Sequence, residues 1–118
     1  MKQILIVDDE LLIREGLEMA LKMEGYTVEG AGNGQEAMET LTWFKPDVII
    51  TDIIMPEKDG IELVLNVRKH DKRTRIIAIS GGGRISAYDH LKMANQLGAN
   101  TILAKPFSIH ELLTEIEG

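Results

Sequence analysis

Asp8 and Asp9 follow the apolar run Ile4 to Val7, and Asp52 follows Val48 to Thr51. Ser80 follows Arg75 to Ile79, and Lys105 follows Thr101 to Ala104. Three carboxylates, a hydroxyl and an ammonium thus each stand directly behind a short apolar stretch. Three carboxylates brought together repel one another, and the usual remedies are a raised pKa or a bound cation. An all-oxygen donor set without His or Cys favours Mg2+, which takes one or two carboxylates and keeps waters and a substrate phosphate as its other ligands. The acids therefore point to a phosphate partner. Lys105 is a compact cation suited to Asp52 or to a phosphoryl oxygen, and the Ser80 hydroxyl can donate to another such oxygen.

Each residue alone has a plainer explanation. An Asp after a strand is often a turn residue or a helix N-cap, a Ser beside glycines is often a loop residue, and a Lys is usually a solvated surface charge. The argument for chemistry lies in the positions taken together, so it depends on the elements that hold them.

Two periodicities alternate along the chain. Ile4 to Val7 is too short for a helix and is bounded by acids, which predicts a buried strand. From Glu10 to Glu24 the apolar residues Ile13, Leu17, Ala20 and Leu21 recur at helical spacing, and Gly25 stands where a helix commonly ends. Thr27 to Gly30 predicts a second strand, and Asn33 with Glu36 predicts a capping box opening a helix through Phe44, closed by Pro46. Val48 to Thr51 is the third strand. A turn-rich stretch, Pro56 to Gly60, leads to a helix from Ile61 to about His70. Arg75 to Ile79 is the fourth strand, running into Ser80 and Gly81-Gly82-Gly83. Ser86 and Asp89 can cap a helix burying Leu91, Ala94 and Leu97, with Gly98 at its end. Thr101 to Ala104 is the fifth strand. Ser108 and Glu111 predict another capping box, before a last helix with the stripe Ile109, Leu112, Leu113 and Ile116.

Parallel strands need helical crossovers, and those crossovers are right-handed. The pattern thus predicts an α/β, doubly wound (βα)5 three-layer sandwich around a five-stranded parallel sheet. In such a sheet, sites form beyond the carboxyl ends of the strands, where Asp8, Asp9, Asp52, Ser80 and Lys105 all stand.

The chain has 118 residues, enough for one core. Its ten expected elements leave neither a linker nor an output module, so residues 1–118 are expected to form one domain. A net charge of -6, from 19 acidic and 13 basic residues, argues against direct nucleic-acid binding and against anionic membranes. The lack of cysteine excludes disulfides and thiol nucleophiles and agrees with a reducing compartment. No run is long and apolar enough for a membrane span, and a cytoplasmic location is expected.

The acidic pair in Ile4-Leu5-Ile6-Val7-Asp8-Asp9-Glu10, the segment Asp52-Ile53-Ile54-Met55-Pro56-Glu57-Lys58-Asp59-Gly60, the hydroxyl at Ser80 and Lys105-Pro106-Phe107 resemble, in this order, the response-regulator receiver family of two-component signalling. The resemblance covers essentially the whole chain. It implies a flavodoxin-like strand order 2-1-3-4-5 and makes Asp52 the phosphoacceptor that attacks the phosphorus of a phosphohistidine. It makes Asp9 a direct Mg2+ ligand, Asp8 the acid that reaches the metal through water, and Ile54 a ligand through its backbone carbonyl. Ser80 becomes the hydroxyl that moves onto the new phosphoryl group, Gly81 part of the phosphate-binding loop, and Lys105 the cation of the site, with a cis bond to Pro106. The partners implied are a histidine kinase or histidine phosphotransfer protein and a downstream protein target. The role is that of a stoichiometric acceptor rather than an enzyme with turnover. The output face would comprise the fourth helix, fifth strand and fifth helix of the pattern, and it admits a homodimer on phosphorylation.

Three departures stand out. Ile102 occupies the position where many members carry Tyr or Phe, so an aromatic rotamer switch is absent. The triple-glycine loop is longer than the common form. Ile54 is bulky and apolar beside the route of an attacking water, which predicts slow self-dephosphorylation. Rival classes fare worse at the site. A haloacid-dehalogenase phosphatase wants Asp-x-Asp, whereas Glu10 stands two after Asp8. A flavodoxin wants a Ser/Thr/Gly-rich phosphate loop where this chain has acids. A receiver working without phosphate is the third alternative, and Ile102 is what speaks for it.

Overall fold

The structure is a computed structural model and describes residues 2–53, 59–80 and 96–118. Five strands, β1 (Gln3–Val7), β2 (Thr27–Ala31), β3 (Val48–Asp52), β4 (Arg75–Ser80) and β5 (Thr101–Ala104), form one sheet in the order β2-β1-β3-β4-β5. All of its pairings are parallel. Four helices are described: α1 (Leu11–Met23), α2 (Gly34–Thr40), α3 (Asp59–His70) and α4 (Ile109–Glu117).

Strand side chains alternate between two cores, as a period of two requires. Leu5, Val7, Ile49, Ile76 and Ala78 pack with Ala37 of α2 and Leu63, Val64 and Val67 of α3. Ile4, Ile6, Val48, Ile50, Ile77 and Ile79 pack on the other face with Leu21 of α1 and Leu112 and Ile116 of α4. This two-sided burial explains why the strands read as nearly unbroken apolar runs. Each fully buried Ile or Leu contributes about 2 kcal/mol, and Ile4, Leu5, Ile50, Ile76 and Ile77 are fully excluded from solvent.

The expected α/β sandwich and its strand order are thus observed, with small changes at the boundaries. Asp52 and Ser80 are the last residues of their strands rather than the first beyond them. Helix α2 stops at Thr40 instead of reaching Phe44. There the amides of Thr42 and Trp43 bond three residues back, to Glu39 and Thr40, while the hydroxyls of Thr40 and Thr42 take the carbonyls of Glu36 and Glu39. These side-chain bonds offer the backbone an alternative to the helical ladder. The Asn33 side chain accepts from the Glu36 amide at 2.8 Å, but the Glu36 carboxylate reaches the amide of Gly32 rather than closing the box on Asn33. At Ser108 and Glu111 the predicted capping box is complete. The helix expected from Ser86 lies largely outside the described residues. Residues 96 and 97 are helical, and Gly98 ends them with φ of 94°.

Candidate phosphoacceptor and metal site

Register sets the site. Ile4 to Val7 of β1 pair with Val48 to Thr51 of β3, so the residues that follow, Asp8 and Asp52, leave the sheet side by side. Asp52 lies opposite Ile79 of β4, and Ser80 opposite Ala104 of β5. The amide of Lys105 donates to the Ser80 carbonyl at 2.8 Å, which carries the Lys105 stem to the same edge. The Lys105–Pro106 bond is cis.

Asp8, Asp52 and Ser80 are buried, with 2%, 5% and 1% of their surfaces exposed, whereas Asp9 faces solvent. Carboxylate oxygens of Asp8, Asp9 and Asp52 lie within 4.8 Å of one another. The Lys105 Nζ donates to Asp52 Oδ2 at 3.2 Å and lies 3.8 Å from Asp8 Oδ2. Asp8 Oδ1 accepts from the Glu10 amide at 2.9 Å, but Oδ2 is buried with no hydrogen-bond donor among the described residues. Such an oxygen is costly unless something cationic approaches it.

The titration behaviour follows from that crowding. Burial pushes the Asp8 carboxyl up, opposed by the Glu10 amide and the Lys105 charge and reinforced by Asp52 and Asp9, and the net direction is upward. For Lys105, burial works to lower the pKa, but the charge and hydrogen bond of Asp52, with the charges of Asp8 and Glu10, outweigh it and raise it. One ammonium is therefore shared between two buried acids.

The start of α3 completes the wall. A Cβ on Gly60 would lie 2.0 Å from the Asp52 carbonyl oxygen and 2.7 Å from Ile53 Cα, so only a residue without a side chain lets α3 begin so close to the end of β3. Gly60 stood in the motif, yet nothing in the sequence pattern marked this close approach. Ile102 is half-buried against the core on the α2 and α3 face, opposite Ala78. Ile54 and Gly81, expected as a carbonyl ligand and as part of a phosphate loop, lie outside the described residues.

Hard oxygen donors, close mutual spacing and the orphaned Asp8 Oδ2 all fit a small divalent cation of the Mg2+ kind. No described helix is long and apolar enough to cross a membrane.

Comparison with known proteins agrees with this geometry. Residues 4–117 match the family described as response regulator receiver domain. The transcriptional regulatory protein PdtaR of Mycobacterium tuberculosis is 40% identical over 117 residues, covering 98% of this chain and 55% of that protein. The chain spans about half the length of the curated relatives that it first matches. The sporulation initiation phosphotransferase F of Bacillus subtilis is 36% identical, over 94% of this chain and 87% of that one. Among solved structures, the response regulator TrrA of Thermotoga maritima, in complex with Mg2+ and BeF, superposes with a TM-score of 0.84 at 33% identity, covering 99% of this chain and 97% of that one. The chemotaxis response regulator CheY4 of Vibrio cholerae does so with a TM-score of 0.87 at 34% identity, with the same shares covered. The chain belongs to the response regulator receiver domain family of two-component signalling.

Proposed function

We propose that Asp52 accepts a phosphoryl group from a phosphohistidine of a sensor kinase or histidine phosphotransfer protein, with Mg2+ held by Asp9, Asp8, Asp52 and the backbone carbonyl of Ile54. The observation that carries this reading is the convergence of three carboxylates within 4.8 Å of one another at the carboxyl edge of the sheet, two of them paired with the Lys105 ammonium.

In the reaction an Asp52 carboxylate oxygen forms the new bond to phosphorus as the phosphorus–nitrogen bond to the donor histidine breaks, and the freed imidazole takes up a proton. The covalent demands on the protein are small, since phosphoryl transfer depends chiefly on positioning and on neutralising charge. Lys105, 3.2 Å from the Asp52 carboxylate, is placed to follow the charge onto a phosphoryl oxygen. Ser80, at the end of the adjacent strand, brings a hydroxyl to the same edge. The metal, when bound, neutralises the acids and the incoming phosphoryl oxygens.

The aspartyl phosphate adds roughly two negative charges at the strand ends. Ser80, with the Gly81 loop that follows it, carries the response toward β5 and its flanking helices, which present the output face to a protein target or to a second copy of the chain. Since Ile102 has no aromatic ring to reorient, the coupling runs through the Ser80 loop. The domain, residues 1–118, acts as a stoichiometric acceptor in the cytoplasm, and the bulk of Ile54 slows loss of the phosphoryl group.

Intact mass after incubation with acetyl phosphate, with and without Mg2+, tests the reading in wild type and Asp52→Ala. The expected result is one added phosphoryl group in wild type with Mg2+ and none in the variant. Absence of any addition would leave a receiver that works without phosphate, and addition persisting in Asp52→Ala would move the acceptor to another carboxylate.

A further inference from the structure

Arg14 lies on α1, and the chemistry above makes no use of it. Its Nη1 donates to the backbone carbonyl of Asp8 at 2.9 Å. That carbonyl belongs to the peptide joining Asp8 to Asp9, so the bond restrains the plane of the link between the two acids. Asp8 is also held through its N–H, which donates to the Ala31 carbonyl at 3.1 Å, and through Oδ1 on the Glu10 amide. Asp9 is exposed, and an exposed side chain takes its aim from its backbone.

The floor under Arg14 supplies a second, independent observation. A Cβ on Gly30 would lie 3.2 Å from Arg14 Cδ and 1.7 Å from the Glu18 carboxylate, and one on Gly32 would lie 3.1 Å from Arg14 Nη1. Among the described glycines only Gly25 and Gly98 have positive φ. Backbone conformation therefore does not account for glycine at 30 and 32; the side chains of Arg14 and Glu18 from α1 and of Glu36 from α2 pass close to them. The Arg14 side chain thus runs over a floor that carries no side chain of its own.

We propose that Arg14 is a positioning residue for the acid pair, holding the Asp8–Asp9 peptide so that both carboxylates are preset for a divalent cation. The inference rests on the reading of these acids as a metal site. Charge alone predicts the opposite sign. A guanidinium near the acids repels a metal ion, so deleting its charge should tighten binding, whereas losing the preset peptide should loosen it.

Mn2+ binding, followed by the electron paramagnetic resonance signal of the free ion, tests the proposal in wild type, Asp9→Asn, Arg14→Met, Arg14→Lys and Gly32→Ala, with urea unfolding in metal-free buffer as a control on folding. Arg14→Met keeps the stem over Gly30 but removes the donor, and affinity should fall by about tenfold. Arg14→Lys should recover part of that loss, because an ammonium can donate to the same carbonyl. Gly32→Ala retains the charge but crowds Nη1 and, at 3.0 Å, Glu36 Oε2; it should weaken binding in the same direction even if Arg14→Met folds poorly, while Glu36→Gln should leave binding unchanged. Unchanged or tighter binding in Arg14→Met and Gly32→Ala, with Asp9→Asn still impaired, overturns the role of Arg14 and leaves the metal site standing. A wild type that binds no Mn2+, or binds it no better than Asp9→Asn does, removes the metal reading and the inference with it.

Discussion

At the amino ends of the strands polar groups answer one another, whereas at the carboxyl ends two buried acids share the Lys105 ammonium and a third stands beside them. On the amino side the Asp47 carboxylate accepts from the Gln3 amide at 2.8 Å, and Asn100 Oδ1 takes the Ile76 amide at 2.8 Å and Arg68 Nη2 at 2.9 Å. Arg75 donates to the Glu115 carbonyl at 2.6 Å and pairs with its carboxylate, while Lys2 and Tyr26 converge on Glu117. On the carboxyl side Asp8 Oδ2 is buried with no hydrogen bond among the described residues, and Lys105 divides its charge between Asp8 and Asp52. The amino edge staples α4 and the loops to the sheet. The described residues of the carboxyl edge crowd acids together, a crowding that a cation or a change of protonation relieves. Stability and reactivity thus occupy opposite ends of the same five strands.

Removing the Lys105 ammonium should give the largest effect. Lys105→Met takes away the cation that pairs with both Asp8 and Asp52, and should destabilise the metal-free protein by about 2 kcal/mol, a value discounted because the Lys105 side chain is 24% exposed. Urea unfolding with and without Mg2+ measures this. Mg2+ should stabilise the variant more than the wild type, since the metal then replaces the neutralisation that Lys105 gave. Equal increments in the two proteins would show that ammonium and metal do not compete for the same acids, and the contrast between the edges would lose its electrostatic basis.

A smaller effect of opposite sign is expected at Asp8. Its pKa is raised in the fold, chiefly by burial. The folded chain therefore holds the Asp8 proton more tightly than the unfolded chain does. That contribution to stability is fully present below the ordinary value of 3.8 and is lost as pH rises through the folded value. Asp8→Asn should thus be more stable than wild type in metal-free buffer at neutral pH, by about 1 kcal/mol, and the gap should close as pH falls. A variant less stable than wild type at neutral pH would mean that the attractions on the Asp8 charge, from the Glu10 amide and the Lys105 ammonium, outweigh its burial.

The difference between the edges was only partly legible in the sequence. The apolar runs at Ile4 to Val7 and Val48 to Thr51 carried the strands, and the parallel order then brought Asp8, Asp52, Ser80 and Lys105 to one edge. Which acid is buried was not legible, because Asp8 and Asp9 are adjacent and identical in type. Only the turn of the chain into α1 leaves Asp8 inside and Asp9 in solvent. The end of α2 was misplaced because threonine hydroxyls capturing carbonyls do not alter apolar spacing. Arg14 escaped for a related reason: a long polar side chain reaching a carbonyl six positions back adds nothing to a periodicity. The amino-edge staples were equally silent, since Tyr26 and Glu117 are 91 positions apart.

That last contact yields the smallest and most local prediction. The Tyr26 hydroxyl donates to Glu117, and this bond, with burial and the charges of Glu117 and Glu24, pushes the phenol from 10.0 up to about 12. The raised value means that the contact contributes to stability below the unfolded value of 10.0 and that its contribution is lost as pH rises from there toward 12. Alkaline titration followed by near-ultraviolet absorbance should show a tyrosine step near 12 that disappears in Tyr26→Phe. In Glu117→Gln the step should move down, because the charge is removed and the amide oxygen that stays is a weaker acceptor. It should stay in place in Asp52→Asn, which removes a charge at the other end of the strands. A step that shifts in Asp52→Asn would join the two edges into one electrostatic system, and a step unmoved in Glu117→Gln would assign the shift to burial instead of to the charge of the staple.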